Sequence, residues 1–253
     1  MTITAGLPTR LTLLLVALLC GQPALAASQC PAEPPDPILR LRHLRTALEQ
    51  GKEAVVVALG SSSTEGVMAS DPAHSYPAEL QAALEHALPH MHIAVLNRGI
   101  GGQDAPEELA RLQADVIAVR PQLVIWQVGA NGAMRNADPG QFEQMVTEGV
   151  NRLQAAGIDV ILMDNQHSPR VDAAPEHGVL NNVLAQVAKA TGIGLFSRAS
   201  LMAAWDKEGA PALTFIASDG LHHNDHGYVC VAGALADAIL DGLRETRTLS
   251  ARR

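Results

Sequence analysis

The chain of 253 residues has a formal net charge of −8, and 47% of its residues are hydrophobic while only 3% are aromatic. This length suits one well-buried α/β domain and is short for two. An acidic chain of this kind has no electrostatic footprint for nucleic acid or for anionic lipid, so composition argues against both as partners.

The first 26 residues have the three-part pattern of a secretory signal peptide. They contain one charge, Arg10, then an apolar stretch from residue 11 to residue 19, then Ala24-Leu25-Ala26. The apolar run is about half of the length that a membrane-spanning helix needs. We therefore predict export to the periplasm or beyond, with cleavage after Ala26 and no stable membrane insertion afterwards. Cys20 raises a lipoprotein as an alternative, which the bulky Leu19 before it disfavours.

Residues 27–50 are predicted to be a lead-in and a first helix, residues 51–245 the domain, and residues 246–253 a flexible tail. The predicted strands are short apolar runs: Ala54–Leu59, His92–Leu96, Leu123–Val128, Val160–Met163 and Gly194–Phe196. The predicted helices have apolar residues three and four apart: Tyr76–Leu88, Pro106–Val119, Gly140–Ala156, Leu180–Ala190 and Tyr228–Leu243. This alternation predicts a parallel sheet covered by helices on both faces.

A serine-rich cluster, residues 60–66, follows the first predicted strand. In a parallel sheet the ligand site lies beyond the carboxyl ends of the strands, where this cluster falls. A turn or helix that begins there exposes backbone N–H groups to a phosphate or an oxyanion. The cluster lacks the lysine of a P-loop and the spacing of a dinucleotide site, so nucleotide binding is weakly supported. Taken alone, such a segment is more often only a turn.

Two glycine-containing clusters follow the next two strands. Residues 97–104 include three glycines, which let the backbone approach a ligand, and Asp104 can cap the following helix. In Gly129-Ala130-Asn131-Gly132, the Asn131 amide can donate a hydrogen bond to a developing oxyanion. In isolation the first cluster is only a weak signal that a tight turn also explains, and a turn-forming Asn-Gly pair is the likelier explanation of the second.

The segment 218–228, just ahead of the last predicted helix, is the most informative. It places Asp219 three residues before His222. An acyl-transfer enzyme needs a general base held in place by a carboxylate, and this spacing can provide both groups.

Two groups of side chains also raise the question of a metal site. They are His222, His223 and His226 within one turn, and Asp164, His167 and Asp172 after the fourth predicted strand. Neither group has a recognised zinc spacing. We expect residues 164–167 to line the substrate cleft instead, because they follow a strand end.

In their order and spacing the four clusters resemble the SGNH hydrolases, also called GDSL-type esterases and lipases. The matching blocks are Gly60-Ser61-Ser62, residues 97–102, Gly129-Ala130-Asn131 and Asp219-Gly220-Leu221-His222. The resemblance covers residues 54–227. It implies a three-layer α/β/α sandwich with a five-stranded, flavodoxin-like parallel sheet, and ester hydrolysis without a metal or organic cofactor.

The resemblance also implies a role for each site residue. Ser62 would be the nucleophile, His222 the general base and Asp219 the carboxylate that orients the base. The oxyanion hole would consist of the backbone N–H groups of Ser62 and Gly102 and the side chain of Asn131.

Two positions depart from the family pattern. Ser61 stands where the first block usually has aspartate, and Gly132 stands where aspartate usually follows the asparagine. Neither position supplies a catalytic group, so the implied triad is retained. Because of the first departure, Ser61 and Ser63 are rival candidates for the nucleophile.

The substrate is left open by the sequence. Trp126, Trp205, Tyr76 and Phe215 are candidates to line a small site. Short acyl esters, acetylated glycans, and lysophospholipid or thioester substrates all fit an exported enzyme of this kind. An acyltransferase that uses the same acyl-enzyme is an alternative, as is a non-catalytic glycan-binding module, although such modules usually lose the Ser, the His or the Asn.

Cys30 and Cys230 would remain after signal-peptide cleavage. An oxidising compartment favours a disulfide between them, but a separation of 200 residues along the chain says nothing about their distance in space. A disulfide and two free thiols therefore both stay open.

Overall fold

The structure, a computed structural model, describes residues 1–2, 30–31 and 39–250, without the side chains of residues 245–250. Nearly all of the predicted signal peptide and part of the lead-in lie outside the described residues, so export stays a prediction. Within the described residues, none of the helices has the length and apolarity needed to cross a membrane.

Strands and helices alternate along the chain as predicted. The strands are β1 Ala54–Gly60, β2 Ile93–Gly99, β3 Leu123–Gln127, β4 Asp159–Met163 and β5 Gly194–Phe196. The helices are α1 Arg42–Glu49, α2 Ser62–Glu65, α3 Tyr76–Ala87, α4 Ala105–Asp115, α5 Ala130–Met134, α6 Pro139–Ala155, α7 Pro169–Asp172, α8 His177–Thr191, α9 Arg198–Lys207 and α10 Asp225–Ser250. Helix α10 thus continues past residue 246, where the sequence analysis places the start of a tail.

The strands form a five-stranded sheet in the order β2-β1-β3-β4-β5, and every neighbouring pair is parallel. The predicted flavodoxin-like sheet is therefore confirmed. Strand β1 pairs with β2 on one side and with β3 on the other, so the order of the strands reverses at β1. In such sheets the ligand crevice lies beyond the carboxyl ends of the strands at this reversal.

Two apolar clusters cover the two faces of the sheet and complete the three layers. Consecutive residues of β1 belong to different clusters, with Val56 in one and Val57 in the other. The first cluster includes residues of α1, α3, α9 and α10, and the second includes residues of α4, α6 and α8. Burial on both faces explains why the strands read as continuous apolar runs.

The expectation that four aromatic residues line the substrate site is wrong. Trp126, Trp205, Tyr76 and Phe215 are each at most 1% exposed. Trp126 packs in the cluster on one face of the sheet and the other three in the cluster on the opposite face. The Trp205 and Phe215 ring centroids are 4.5 Å apart. These rings are large apolar groups that stabilise the domain by their burial.

A disulfide joins Cys30 to Cys230. Cys230 is buried in α10 and Cys30 is exposed in the lead-in. Of the two possibilities left open by the sequence, the structure contains the bonded pair.

Candidate active site

A tight turn from β1 into α2 presents the predicted nucleophile. Gly60 ends the strand, and a Cβ at this position would lie 2.9 Å from the Gln127 carbonyl oxygen, so the close approach favours glycine. Ser61 is the residue before the helix, and Ser62 is its first residue. This geometry brings Ser62 to the carboxyl edge of the sheet.

The three residues of the predicted triad lie in hydrogen-bond contact. His222 Nε2 is 2.8 Å from Ser62 Oγ, and His222 Nδ1 is 2.5 Å from Asp219 Oδ2. The other Asp219 oxygen accepts the backbone N–H groups of Leu221 at 3.0 Å and His222 at 3.1 Å. Gly220, with φ of 68°, permits this turn. The arrangement allows His222 to take a proton from Ser62 while Asp219 fixes its tautomer.

The pKa of Asp219 is lower than usual, so its carboxylate is charged near neutral pH. Partial burial alone would raise the pKa, but hydrogen bonds from the His222 ring and from two backbone N–H groups outweigh it. An ionised Asp219 stabilises an imidazolium on His222.

The geometry favours Ser62 over the two rival serines. Ser63 is 2% exposed and Ser61 is 3% exposed. The Ser61 hydroxyl donates to Gln127 Oε1 at 3.2 Å, whereas the Ser62 hydroxyl faces His222.

Gln127 supports the nucleophile turn, and sequence analysis did not identify it as a site residue. Its Oε1 accepts three hydrogen bonds: from the Ser61 N–H at 3.1 Å, the Ser61 hydroxyl at 3.2 Å and the Thr64 hydroxyl at 3.1 Å. Ser61, which replaces the usual aspartate, therefore anchors the turn to β3. The available sequence signal was a polar residue at the end of an otherwise apolar buried strand.

Besides Ser62 at the start of α2, the residues predicted for the oxyanion hole are Gly102, in the loop before α4, and Asn131, in the first turn of α5. Gly102 has φ of 77°, a conformation that favours glycine. A Cβ on the adjacent Gly101 would lie 3.9 Å from Ser62 Cβ, so the glycine block borders the nucleophile. Asn131 Nδ2 donates to the Gln103 carbonyl at 2.7 Å. This hydrogen bond fixes the amide of Asn131 beside the glycine block.

The start of α10 holds the loop that follows α2. The Asp225 carboxylate accepts the Ser70 N–H at 2.8 Å and the Ser70 hydroxyl at 2.5 Å. The Tyr228 hydroxyl donates to the Val67 carbonyl at 2.7 Å. These contacts tie the segment after Ser62 to the segment after His222.

The expectation that residues 164–167 line the cleft is wrong for the first three. Asp164, Asn165 and Gln166 are at most 3% exposed. Burial raises the pKa of Asp164 to about 6, although a hydrogen bond from Ser197 opposes this. Gln166 Nε2 donates to the Leu221 carbonyl at 2.9 Å. The turn therefore supports the backbone next to His222 from inside the protein.

Neither of the two groups considered as metal ligands brings three ligand atoms together; among the described residues, the one set of three His, Cys, Asp or Glu side chains with ligand atoms within 4.8 Å of one another is Cys30, His226 and Cys230. The two sulfur atoms of that group form the disulfide. His223 is buried, which lowers its pKa to about 3, and its Nδ1 lies 3.2 Å from the Phe215 carbonyl oxygen. His167 Nδ1 lies 2.6 Å from Asp172 Oδ2.

Solved structures with this fold include esterases. A two-domain esterase active on acetylated mannans aligns with a TM-score of 0.70 and 21% identity, over 83% of this chain and 55% of that one. An acetylxylan esterase from Geobacillus stearothermophilus aligns with a TM-score of 0.61 and 20% identity, over 75% of this chain and 94% of that one. At these identities the likeness concerns the fold.

A curated relative is esterase TesA of Pseudomonas aeruginosa, 32% identical over 75 residues, which are 30% of this chain and 37% of the relative. The alignments thus span about a third of this relative and about half of the two-domain esterase. The non-GDSL lipase-like family matches residues 27–245. The chain therefore belongs to the non-GDSL lipase-like family.

Proposed function

We propose that the protein is an exported serine esterase that removes short acyl groups, with acetylated glycans as the preferred substrate class. The observation that carries this proposal is the continuous chain of contacts from Asp219 through His222 to Ser62, at 2.5 and 2.8 Å. Such a chain activates a serine hydroxyl at neutral pH.

In the proposed reaction, Ser62 Oγ attacks the ester carbonyl as His222 Nε2 takes its proton. The N–H groups of Ser62 and Gly102 and the Asn131 amide donate to the oxyanion. As the tetrahedral intermediate collapses, the bond to the alcohol oxygen breaks and His222 returns the proton to the leaving alcohol. Water then attacks the acyl-enzyme with His222 again as base, which releases the acid and restores Ser62.

Two observations support the choice of substrate class and location. Structures that share the fold act on acetylated mannans and acetylxylan, and on that likeness we propose carbohydrate acetates. The signal-peptide pattern of residues 1–26 and the Cys30–Cys230 disulfide both suit an oxidising compartment outside the cytoplasm.

The test is hydrolysis of p-nitrophenyl acetate, butyrate and octanoate, and of acetylated xylo- and manno-oligosaccharides, by the mature protein. We expect acetate to be preferred and Ser62→Ala to abolish turnover. Ser61→Ala is the matched control, because it removes the neighbouring hydroxyl that contacts Gln127 and keeps the one that faces His222. Full activity in Ser62→Ala would refute the nucleophile assignment. Acyl transfer to an added sugar at the expense of hydrolysis would identify an acyltransferase instead.

A further inference from the structure

Gly132 lies where SGNH hydrolases usually have an aspartate, and another carboxylate occupies the adjoining space. A Cβ on Gly132 would lie 2.7 Å from Asp104 Oδ2 and 3.2 Å from Asp104 Oδ1. Asp104 is 7% exposed, and although burial raises its pKa, the backbone N–H groups of Ala105 and Gly132 act to lower it. The carboxylate missing at position 132 is therefore supplied from the opposite loop.

Two further contacts join the loop before α4 to helix α5. Asn131 Nδ2 donates to the Gln103 carbonyl at 2.7 Å, and Arg135 Nη2 donates to the Gly102 carbonyl at 2.7 Å. Arg135 lies one helical turn beyond Asn131, at the end of α5. The loop before α4 and helix α5 thus each bind the backbone of the other. These two segments contain two of the three groups proposed for the oxyanion hole, the Gly102 N–H and the Asn131 amide.

We propose that Asp104 and Arg135 are positioning residues for the oxyanion hole. Asp104 holds the backbone that follows Asn131, and Arg135 holds the carbonyl of Gly102. The Gly102 N–H and the Asn131 amide therefore keep a fixed separation. This inference rests on the proposed esterase function, because an oxyanion hole has a role only if Ser62 forms a tetrahedral intermediate.

The expected effect is on the rate of the chemical step. Oxyanion donors must lie about 2.7–3.1 Å from the position of the oxyanion. A displacement of about 1 Å can cost about 100-fold in rate. Donors that act in the transition state change kcat more than KM. We therefore expect Asp104→Ser to lower kcat about 10- to 100-fold with little change in KM.

Asp104→Ser is chosen because Asp104 also caps α4, where it forms a capping box with Glu107. Serine is a preferred N-cap residue, so this variant keeps the cap, while its shorter side chain loses contact with Gly132. Asp138→Ser is the matched control, because Asp138 caps α6 through the Gln141 N–H at 2.8 Å. It should lower stability by a similar amount and leave kcat unchanged.

The deciding variant moves the carboxylate to the family position. Gly132→Asp in the Asp104→Ser background should recover most of the lost kcat, since Gly132 is not among the glycines with positive φ. Gly132→Asp alone should be impaired, because two carboxylates would compete for one space. Arg135→Met should lower kcat several-fold with KM preserved, since it removes the donor to Gly102 and retains the apolar stem.

Kinetics with p-nitrophenyl acetate and labelling of Ser62 by a fluorophosphonate separate the outcomes. A kcat loss in Asp104→Ser that Gly132→Asp reverses supports the inference. An active wild type with an unaffected Asp104→Ser, or a double variant no better than Asp104→Ser, overturns the inference and leaves the esterase proposal standing. A wild type that hydrolyses no ester and leaves Ser62 unlabelled overturns the esterase proposal and the inference with it.

Discussion

The Asn131 amide has two N–H donors on one nitrogen. One of them is used by the Gln103 carbonyl at 2.7 Å. The other is available for an oxyanion, and the first hydrogen bond fixes its direction. Asn131→Ala should therefore lower kcat on p-nitrophenyl acetate about 100- to 1,000-fold. Steady-state kinetics provide the check, and a change confined to KM would contradict this role.

Glu108 is a buried carboxyl outside the site. It is fully buried and accepts the Trp126 Nε1–H at 2.8 Å. Burial raises its pKa to about 8, whereas the pKa of a glutamate in the unfolded chain is about 4.3. Between these values the unfolded chain has lost a proton that the folded protein retains, so Glu108 lowers the free energy of unfolding progressively as pH rises.

Glu108→Gln should remove this pH dependence, because glutamine retains an acceptor for Trp126 and has no proton to lose. We expect the variant to gain stability relative to the wild type between pH 5 and pH 8, as measured by urea unfolding. Other buried acids, such as Asp164, titrate in both proteins, so their effects on the free energy of unfolding cancel in the comparison. Parallel stability curves for the two proteins would contradict the assignment.

At the scale of elements, the strands were predictable because burial on both faces leaves a continuous apolar run in the sequence. Helix α9 was missed, since its first residue, Arg198, is charged yet 1% exposed, which breaks the expected pattern. Helix α10 begins three residues earlier than predicted, at Asp225, because the Asn224 side chain caps it by accepting the Gly227 N–H at 2.9 Å. Contacts made by polar side chains do not appear in the spacing of apolar residues, from which the helices were predicted.

The site residues also divide into those that a sequence pattern reveals and those that only the folded structure reveals. Asp219 and His222 were recognisable from local spacing, and the serine cluster and Asn131 were noticed because they follow strands, but the choice of Ser62 and the role of Asn131 came from the resemblance to the SGNH family. The roles of Gln127 and Arg135 could not be assigned, because they depend on contacts with distant segments; for Gln127 the sequence offers only its polar character at the end of an apolar strand. Their importance depends on tertiary distances, which a single sequence does not contain.

The packing of α6 on the sheet depends on Gly149. A Cβ at Gly149 would overlap the ring of Trp126, so Gly149→Ala should destabilise the domain by about 1–3 kcal/mol. Gly233 in α10 is the matched control, because a Cβ there meets no atom within 4 Å. Gly233→Ala should stabilise by about 0.5–1 kcal/mol, the helix-propensity difference between the two residues. Thermal unfolding distinguishes the two, and equal effects would contradict the close approach of α6.

At the scale of the whole molecule, α10 connects distant parts of the chain. Asp225 and Tyr228 hold the loop after α2, and Cys230, within the same stretch of helix, bonds to Cys30. The lead-in is therefore attached to the helix that also supports the segment following Ser62.

The disulfide should stabilise the protein mainly by restricting its unfolded chain, because it closes a loop between residues 200 positions apart. Replacing both cysteines by alanine avoids a free thiol and an unpaired polar group at the buried Cys230. This variant should lose about 2–5 kcal/mol of unfolding free energy and retain kcat below its melting temperature. Reductant should lower the melting temperature of the wild type towards that of the variant and leave the variant unchanged. If reduction lowers both melting temperatures equally, its effect does not act through this bond.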